Sequence, residues 1–536
     1  MGRSTSRSHK TLGLLAGGCA VAVAVAGCSS SSGSGGSAKG GGKVVDGATF
    51  SMALNSDPGN LDPQGSASNN VLQVAALAYD YLVSTSAKGK IQPQLASSWK
   101  VSGKTVTLKL KSGITCSDGS AFTAAQAAQN INYVGNPKNK SPLLGAFLPA
   151  GATAKGSGNT VTISLAGAAP FILEGLASLP MVCAKGMANR KSLARATDGT
   201  GPYQLTDAKP NSSYTFTKRT GYTWGPAGAM TSTAGLPSKI ELRVITNETT
   251  AANLMLSGQL NAGTFIGPDT SRLQSAKLYS VSTATIIGQT WYNHAASRAT
   301  SDQKVRQALS MATDSTQLQK VLTSGRGSGP TNFAVSPPAA CTGNSVAAAM
   351  PKFDLAKAKS LLDADGWKAG SDGIRSKNGK QLTLRFLYST TFGSAGTSAA
   401  ELAAAQWKKL GVKVSMTGQD TNTLLSTIFT TGNWDIGWVP LNVSSPDQLV
   451  GFMSGPAAPK GNNFAGIDNP TYRAKVAKAE TMTGAAGCST WLAAESSLVK
   501  AADVIPWANQ SRLTFGKGST FDINGVLQPT SIRMVR

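Results

Sequence analysis

Three Ser-x-x-Lys spacings, Ser97/Lys100, Ser301/Lys304 and Ser497/Lys500, are the nearest this chain comes to a nucleophile with its base. A penicillin-recognising hydrolase would add Lys-Thr-Gly and Ser-Asp-Asn, and neither accompanies them. Gly-x-Ser-x-Gly, His-Glu-x-x-His and the phosphate-cradling Gly-x4-Gly-Lys-Ser/Thr pattern are missing as well. Two histidines occur, and with His9 in the leader, His294 alone would have to serve a triad or a metal site. Standing beside a strand end, it reads as a structural or surface residue. Six cysteines show no Cys-x-x-Cys spacing, and with a single histidine beyond the leader a zinc site built from cysteine and histidine is not indicated. Catalytic, metal and cofactor chemistry are therefore not what these residue types announce.

The elements that position the remaining residues are legible from periodicity. Val106, Leu108 and Leu110 alternate with Thr105, Thr107, Lys109 and Lys111, the period of a half-buried strand. Ser117-Asp118-Gly119 makes a turn, and Thr123 with Gln126 has capping-box spacing at the head of a helix. A helix is expected over 68–83 and a strand over 160–165. The run 170–179 is apolar and packed, its single acid Glu174 reading as a surface or paired residue. Ser301-Asp302 and Phe353-Asp354 open two further helices, and Ser398 with Glu401 caps another that ends at Gly411.

Composition places the chain in a compartment. Formal charge is +24, yet Lys and Arg are scattered, adjoining only as the pairs Arg190-Lys191, Lys218-Arg219 and Lys408-Lys409, so nucleic-acid binding is not indicated and a solvated basic surface is. Arg3, Arg7 and Lys10 precede an apolar stretch, 12–26, too short to span a bilayer. It ends in Val25-Ala26-Gly27-Cys28, which resembles a bacterial lipobox and implies cleavage before Cys28 and a lipid on its sulfur. Cys19 would leave too short an apolar core. Residues 29–43, nearly all Ser and Gly, form a tether. Cys116, Cys183, Cys341 and Cys488 remain, and in an oxidising compartment they permit three pairings.

Read in order, Pro93-x-Leu95-Ala96-x-x-Trp99, the following strand, Asp118-Gly119-x-x-Phe122-Thr123-Ala124, Gly199-Thr200-Gly201-Pro202-Tyr203 and Val305-Arg306-Gln307-Ala308-Leu309 resemble the family 5 extracytoplasmic solute-binding proteins of ABC importers. Arg219-Thr220 stands where that family has Arg-Asn. The resemblance implies an α/β, two-lobed periplasmic-binding-protein fold (type II, cluster C-like) with an extra subdomain in the first lobe and hinge strands between the lobes. Its expected divisions are a signal peptide over 1–27, a lipid-anchored tether over 28–48, a first lobe from 49–85 and 198–291 with its subdomain over 86–197, a second lobe over 292–507, and a C-terminal return over 508–536. Each disulfide is then expected inside one lobe, Cys116–Cys183 and Cys341–Cys488, since a bridge across lobes would obstruct closure.

By the same resemblance the protein is a non-enzymatic receptor on the outer face of the cytoplasmic membrane, monomeric, without cofactor or metal. It captures a peptide or peptide-like solute and delivers it to a membrane permease. Peptide-binding members carry an aspartate for the solute's ammonium within the segment that here reads Gly437-Trp438-Val439-Pro440-Leu441-Asn442. Leu441 or Asn442 takes its place, and an amide cannot neutralise a buried ammonium. The expected solute therefore lacks a free amine there, or pairs it elsewhere, with Asp447. Ser56, Tyr388, Trp438 and Asn442 are the expected ligand-binding residues, Trp438 as a cleft floor.

Overall fold

The computed structural model describes residues 42–66 and 68–536. The leader, Cys19, Cys28 and most of the tether lie outside the described residues. Among these residues, one twisted sheet runs through the whole body. Its strands, in spatial order, begin with Lys413–Gln419, Thr383–Ser389 and Ile436–Trp438, continue through the two long strands Tyr279–Tyr292 and Val504–Gly516, and end with Ala262–Phe265, Thr49–Leu54, Lys239–Val244, Ser213–Lys218 and Tyr203–Lys209. The two long strands pair antiparallel with each other and carry the chain from one half of the sheet to the other.

Separate hydrophobic cores lie on either side of this crossing. One draws on residues 291–508, with Phe171 packed into it, and centres on the fully buried Trp291, Trp407, Trp434 and Trp491. Another, with Phe50, Tyr203, Tyr214 and Phe216, sits under the far half of the sheet. A third fills a four-stranded antiparallel sheet, Ala96–Ser102, Thr105–Leu110, Thr160–Ser164 and Thr153–Ser157, covered by the helix Ala124–Gly135. That core takes Leu82 and Val83 from before the 86–197 stretch and Tyr222 and Trp224 from after it. Val106, Leu108 and Leu110 face this core, and Thr123 and Gln126 form the capping box their spacing requires.

The second lobe is pinned by Arg306, whose guanidinium donates to the carbonyls of Thr300, Ser301 and Ala502 and to Asp503 at 2.8 Å. Asn469 donates to the other Asp503 oxygen, so the buried pair is hydrogen-bonded on both sides, the condition under which burying charge is tolerable. The Arg of the Val-Arg-Gln-Ala-Leu motif is thus a structural centre. The disulfides pair Cys116 with Cys183 and Cys341 with Cys488.

Two helices differ from their sequence reading. The helix expected over 68–83 is Asn69–Ala78, capped by Ser68, and the chain leaves it extended at Tyr79. The cause is tertiary: the Ala78 carbonyl accepts from Gly201 N at 3.0 Å, and a Cβ on Gly201 would sit 2.4 Å from the Ala78 carbonyl carbon. Residues 83–85 become strand instead. The helix expected to start at Ser398 begins at Gly393, because Ser389 already caps the turn Thr390–Phe392 that feeds it, leaving Ser398 inside. No helix of the described residues is long and apolar enough to cross a membrane.

Candidate ligand cavity between the lobes

Ending the first helix at Ala78 has a local consequence: it turns Asp80 inward from an otherwise apolar run. Asp80 is 1% exposed. One carboxylate oxygen accepts from Gln94 Nε2 at 2.7 Å and the Tyr222 hydroxyl at 2.8 Å; the other accepts from the Thr200 hydroxyl and Trp224 Nε1, both at 2.9 Å. Burial holds the Asp80 carboxyl above its usual range, and these four donors offset only part of the rise. Lys111 and Arg219 sense its charge from the protein side, Lys111 donating to the Trp224 carbonyl and Arg219 lying 5.6 Å from the Trp224 ring centre.

Asp80 and two of its donors, Gln94 and Tyr222, form part of the wall of a cavity of about 540 Å³. Segments 69–85, 145–147, 177–178 and 524–530 line it from the first lobe, 336–338 and 442–452 from the second. The volume is that of a site for a small organic molecule, about 300–1,000 Å³. Aromatic, aliphatic and prolyl surfaces dominate. Two deeply buried side chains at its edge lack a hydrogen-bond partner among the described residues, Gln94 through Oε1 and Thr85 through its hydroxyl.

Of the four residues expected from the sequence, Asn442 lines this cavity and the others do not. Ser56 is exposed, and its hydroxyl and carbonyl accept from Asn70 at the start of the first helix. Tyr388 is buried beside Phe386, 6.0 Å between ring centres. Trp438 lies 4.7 Å from Trp507 and 4.8 Å from Phe386, a core tryptophan instead of a cleft floor. Asn442 spends its amide on the backbone: Oδ1 accepts from Ile286 N at 2.8 Å and Nδ2 donates to Ile286 O at 2.9 Å. Ile286 sits where the register between the two long strands slips, at Ile286–Gly288–Gln289. A Cβ on Gly288 would meet the Trp507 ring at 2.7 Å, so the slip depends on glycine there. Asn442 therefore ties the cavity wall to the crossing strands. His294 lies buried in the second lobe, 3.7 Å from Asp503, its pKa lowered from 6.5 to about 3 by burial and by Arg306.

The lobes touch around the cavity. Gln448 Nε2 donates to the Ala146 carbonyl at 2.9 Å, Gly484 N donates to the Pro170 carbonyl at 2.8 Å, and the Phe171 ring lies 6.0 Å from that of Trp491. Beside these contacts is a smaller space of about 130 Å³ lined by Glu174 from one lobe and Asp447 from the other. Neither the exposed nor the paired reading of Glu174 describes this placement. Burial, then the Asp447 charge, pushes Glu174 up from 4.5 to about 7; burial also raises Asp447, against the hydrogen bond from the Ser445 hydroxyl. A carboxyl whose folded value is raised stabilises fully below its unfolded value, and that contribution is lost as pH climbs through the folded value. Glu174→Gln is therefore expected to melt progressively higher than the parent protein as pH rises from about 4.5 to about 7. His294 works in the opposite direction below 6.5, and the buried Glu495, also raised to about 7, has its own share; both cancel in the difference between the two proteins. A melting-temperature difference flat across that range would contradict the assignment.

A polar cavity wall built on Asp80, Gln94, Thr85 and Tyr222 was not found from the sequence. One signal was present: an acid between two tyrosines at the end of an apolar helical run, Tyr79-Asp80-Tyr81. The model for bacterial extracellular solute-binding proteins, family 5 middle, matches residues 90–462. The nickel-binding periplasmic protein of Escherichia coli (strain K12) is 28% identical over 374 residues, covering 66% of this chain and 68% of that one. The periplasmic murein peptide-binding protein MppA of the same strain is 26% identical over 487 residues, 84% of this chain and 86% of that one. A solved structure of the MppA murein tripeptide-binding protein in its unliganded open form matches with a TM-score of 0.75 at 21% identity, covering 93% of this chain and 99% of that one. The likeness establishes the two-lobed α/β fold.

Proposed function

Because the chain belongs to the family 5 bacterial extracellular solute-binding proteins, the extracytoplasmic, non-enzymatic receptors of ABC importers, we propose that it is a lipid-anchored receptor for oligopeptides or peptide-like solutes. One observation carries this reading. The cavity of about 540 Å³ is walled by both lobes, so a solute inside it touches both at once. Contacts made with both lobes bias the closed arrangement, and the permease then meets a closed, loaded receptor. The two crossing strands, with their slip at Ile286–Gln289, are the proposed hinge. Cys28 is the proposed lipid attachment at the outer face of the cytoplasmic membrane, with the Ser/Gly run after it as a tether that ends at Lys43, whose backbone pairs with that of Arg536.

The relatives bind nickel in one case and murein peptide in another, so the test spans classes. The purified protein is melted with short peptides, nickel chelates, sugars and haem. A solute bound only by the folded form stabilises it by about 2.7 kcal/mol at a hundredfold excess over Kd. A rise in melting temperature with peptides is expected. A rise with a chelate, sugar or haem and none with peptides would replace the solute class; none with any would favour a structural wall lipoprotein. Cys28→Ser is expected to move the protein from the membrane fraction to the medium, and retention on membranes would remove the proposed anchor.

A further inference from the structure

Positive charge is spread unevenly over this chain. Residues 86–197 hold thirteen of its Lys and Arg and only two acids, Asp118 and Glu174, so this stretch supplies eleven of the net +24. Its four-stranded sheet keeps one face on the core through Val106, Leu108, Val161 and Ile163. Strand register fixes what the other face shows. Lys100, Thr107, Thr162 and Lys155 lie in one row across the four strands, and Lys109 stands in the row beside it. The remaining outward positions of these rows are all Ser or Thr, with no acid and no apolar side chain among them. Lys100, Lys109 and Lys155 are exposed, and none of their ammonium groups has a hydrogen bond or ion pair among the described residues.

Neighbouring strands lie about 4.8 Å apart, so Lys100 and Lys155, three strand spacings from each other, are rooted about 14 Å apart. One small anion does not reach across that distance, and an open sheet face offers no groove to a thread-like polymer. The pattern suits a surface that carries many separate anions. The membrane is the anionic surface at hand. The body begins at Lys43, paired with Arg536, and Val45 and Ala48 pack on the first-lobe core. The fourteen residues between Cys28 and Lys43 span at most about 50 Å even when fully extended, so a lipid on Cys28 keeps the first lobe beside the bilayer.

We propose that the open face of this sheet docks on the headgroups of an anionic phospholipid bilayer, with Lys100, Lys109 and Lys155 on lipid phosphates. The choice of a membrane as partner rests on the anchor reading above; the composition of the face does not. Flotation with vesicles tests it, on protein carrying Cys28→Ser so that no lipid of its own contributes. The protein is expected to float with phosphatidylcholine vesicles containing about one-third phosphatidylglycerol, not with phosphatidylcholine alone, and to be released as salt rises. Each lysine at such a surface is worth about fivefold in partitioning. Lys100→Gln, Lys109→Gln and Lys155→Gln together are therefore expected to weaken it about a hundredfold with the melting temperature unchanged. Lys408→Gln, Lys409→Gln and Lys413→Gln in the second lobe, an equal loss of charge, are expected to change it less than about threefold. Equal losses in the two triple variants would overturn the proposal, because net charge and not this face would then hold the protein. Capture by soluble polyphosphate without flotation would overturn it in favour of an anionic polymer, and binding to neither would return the face to a solvated surface. On cell membranes, protein that leaves in a wash of about 1 M salt is held by lysines and protein that stays is held by a lipid on Cys28, so the two readings fail separately.

Discussion

Asp80→Ala is expected to cost about 4 kcal/mol or more of folding stability, out of proportion to the few atoms it removes. The carboxylate makes no covalent or metal bond; its weight lies in the four donors converging on it from Gln94, Thr200, Tyr222 and Trp224. Truncation leaves all four buried side chains without this acceptor, at about 1–3 kcal/mol for each donor that cannot relax. It also strands the charges of Lys111 and Arg219. Asp80→Asn is milder, about 1–2 kcal/mol, because the new N–H2 can lie on the side of Tyr222 and Gln94, where a hydroxyl can rotate and an amide can flip. Denaturant titration of both variants checks this. Equal stability loss in the two variants would show that the donors are not what Asp80 serves.

The second large effect is topological. Cys341→Ser with Cys488→Ser opens a ring of 147 residues inside the second lobe, and the entropic account assigns about 4–5 kcal/mol to a closure of that length. Both ends stay near their partners by other means: the Cys341 carbonyl accepts from Asn332, and Ser345 and Phe333 both donate to Glu495 of the Cys488 helix. The native arrangement should therefore survive while the unfolded chain gains freedom. The expected result is a lower denaturant midpoint with solute affinity retained. Lost affinity at unchanged midpoint would mean that the bridge shapes the cavity and adds little to stability.

Local order was legible where local residues decide it. Thr123 with Gln126, the alternation 105–110, and Asp302 and Asp354 as caps are visible in sequence because each rests on spacing, while the disulfide partners followed only from the lobes that the family resemblance implies. The end of the first helix was not. It is set by Gly201, more than a hundred residues on, capturing the Ala78 carbonyl, and no periodicity within 68–83 carries that information. The cavity escaped for the same reason: Asp80, Gln94, Tyr222, Gln448 and the 524–530 segment meet only after the sheet is complete. Trp438 shows the opposite limit. A tryptophan next to a glycine at a strand end fits a ligand floor and a core equally well, and its neighbours Phe386 and Trp507 decide for the core.

The double hydrogen bond between Asn442 and Ile286 bears on how selectivity could be rewritten in this receptor. An acid grafted at 442 to attract amines would set an oxygen against the Ile286 carbonyl, so a gain in recognition would arrive with a loosened pivot. Amine selectivity and the mechanics of opening share one side chain at this position, and a redesign of the first must repair the second in the same step.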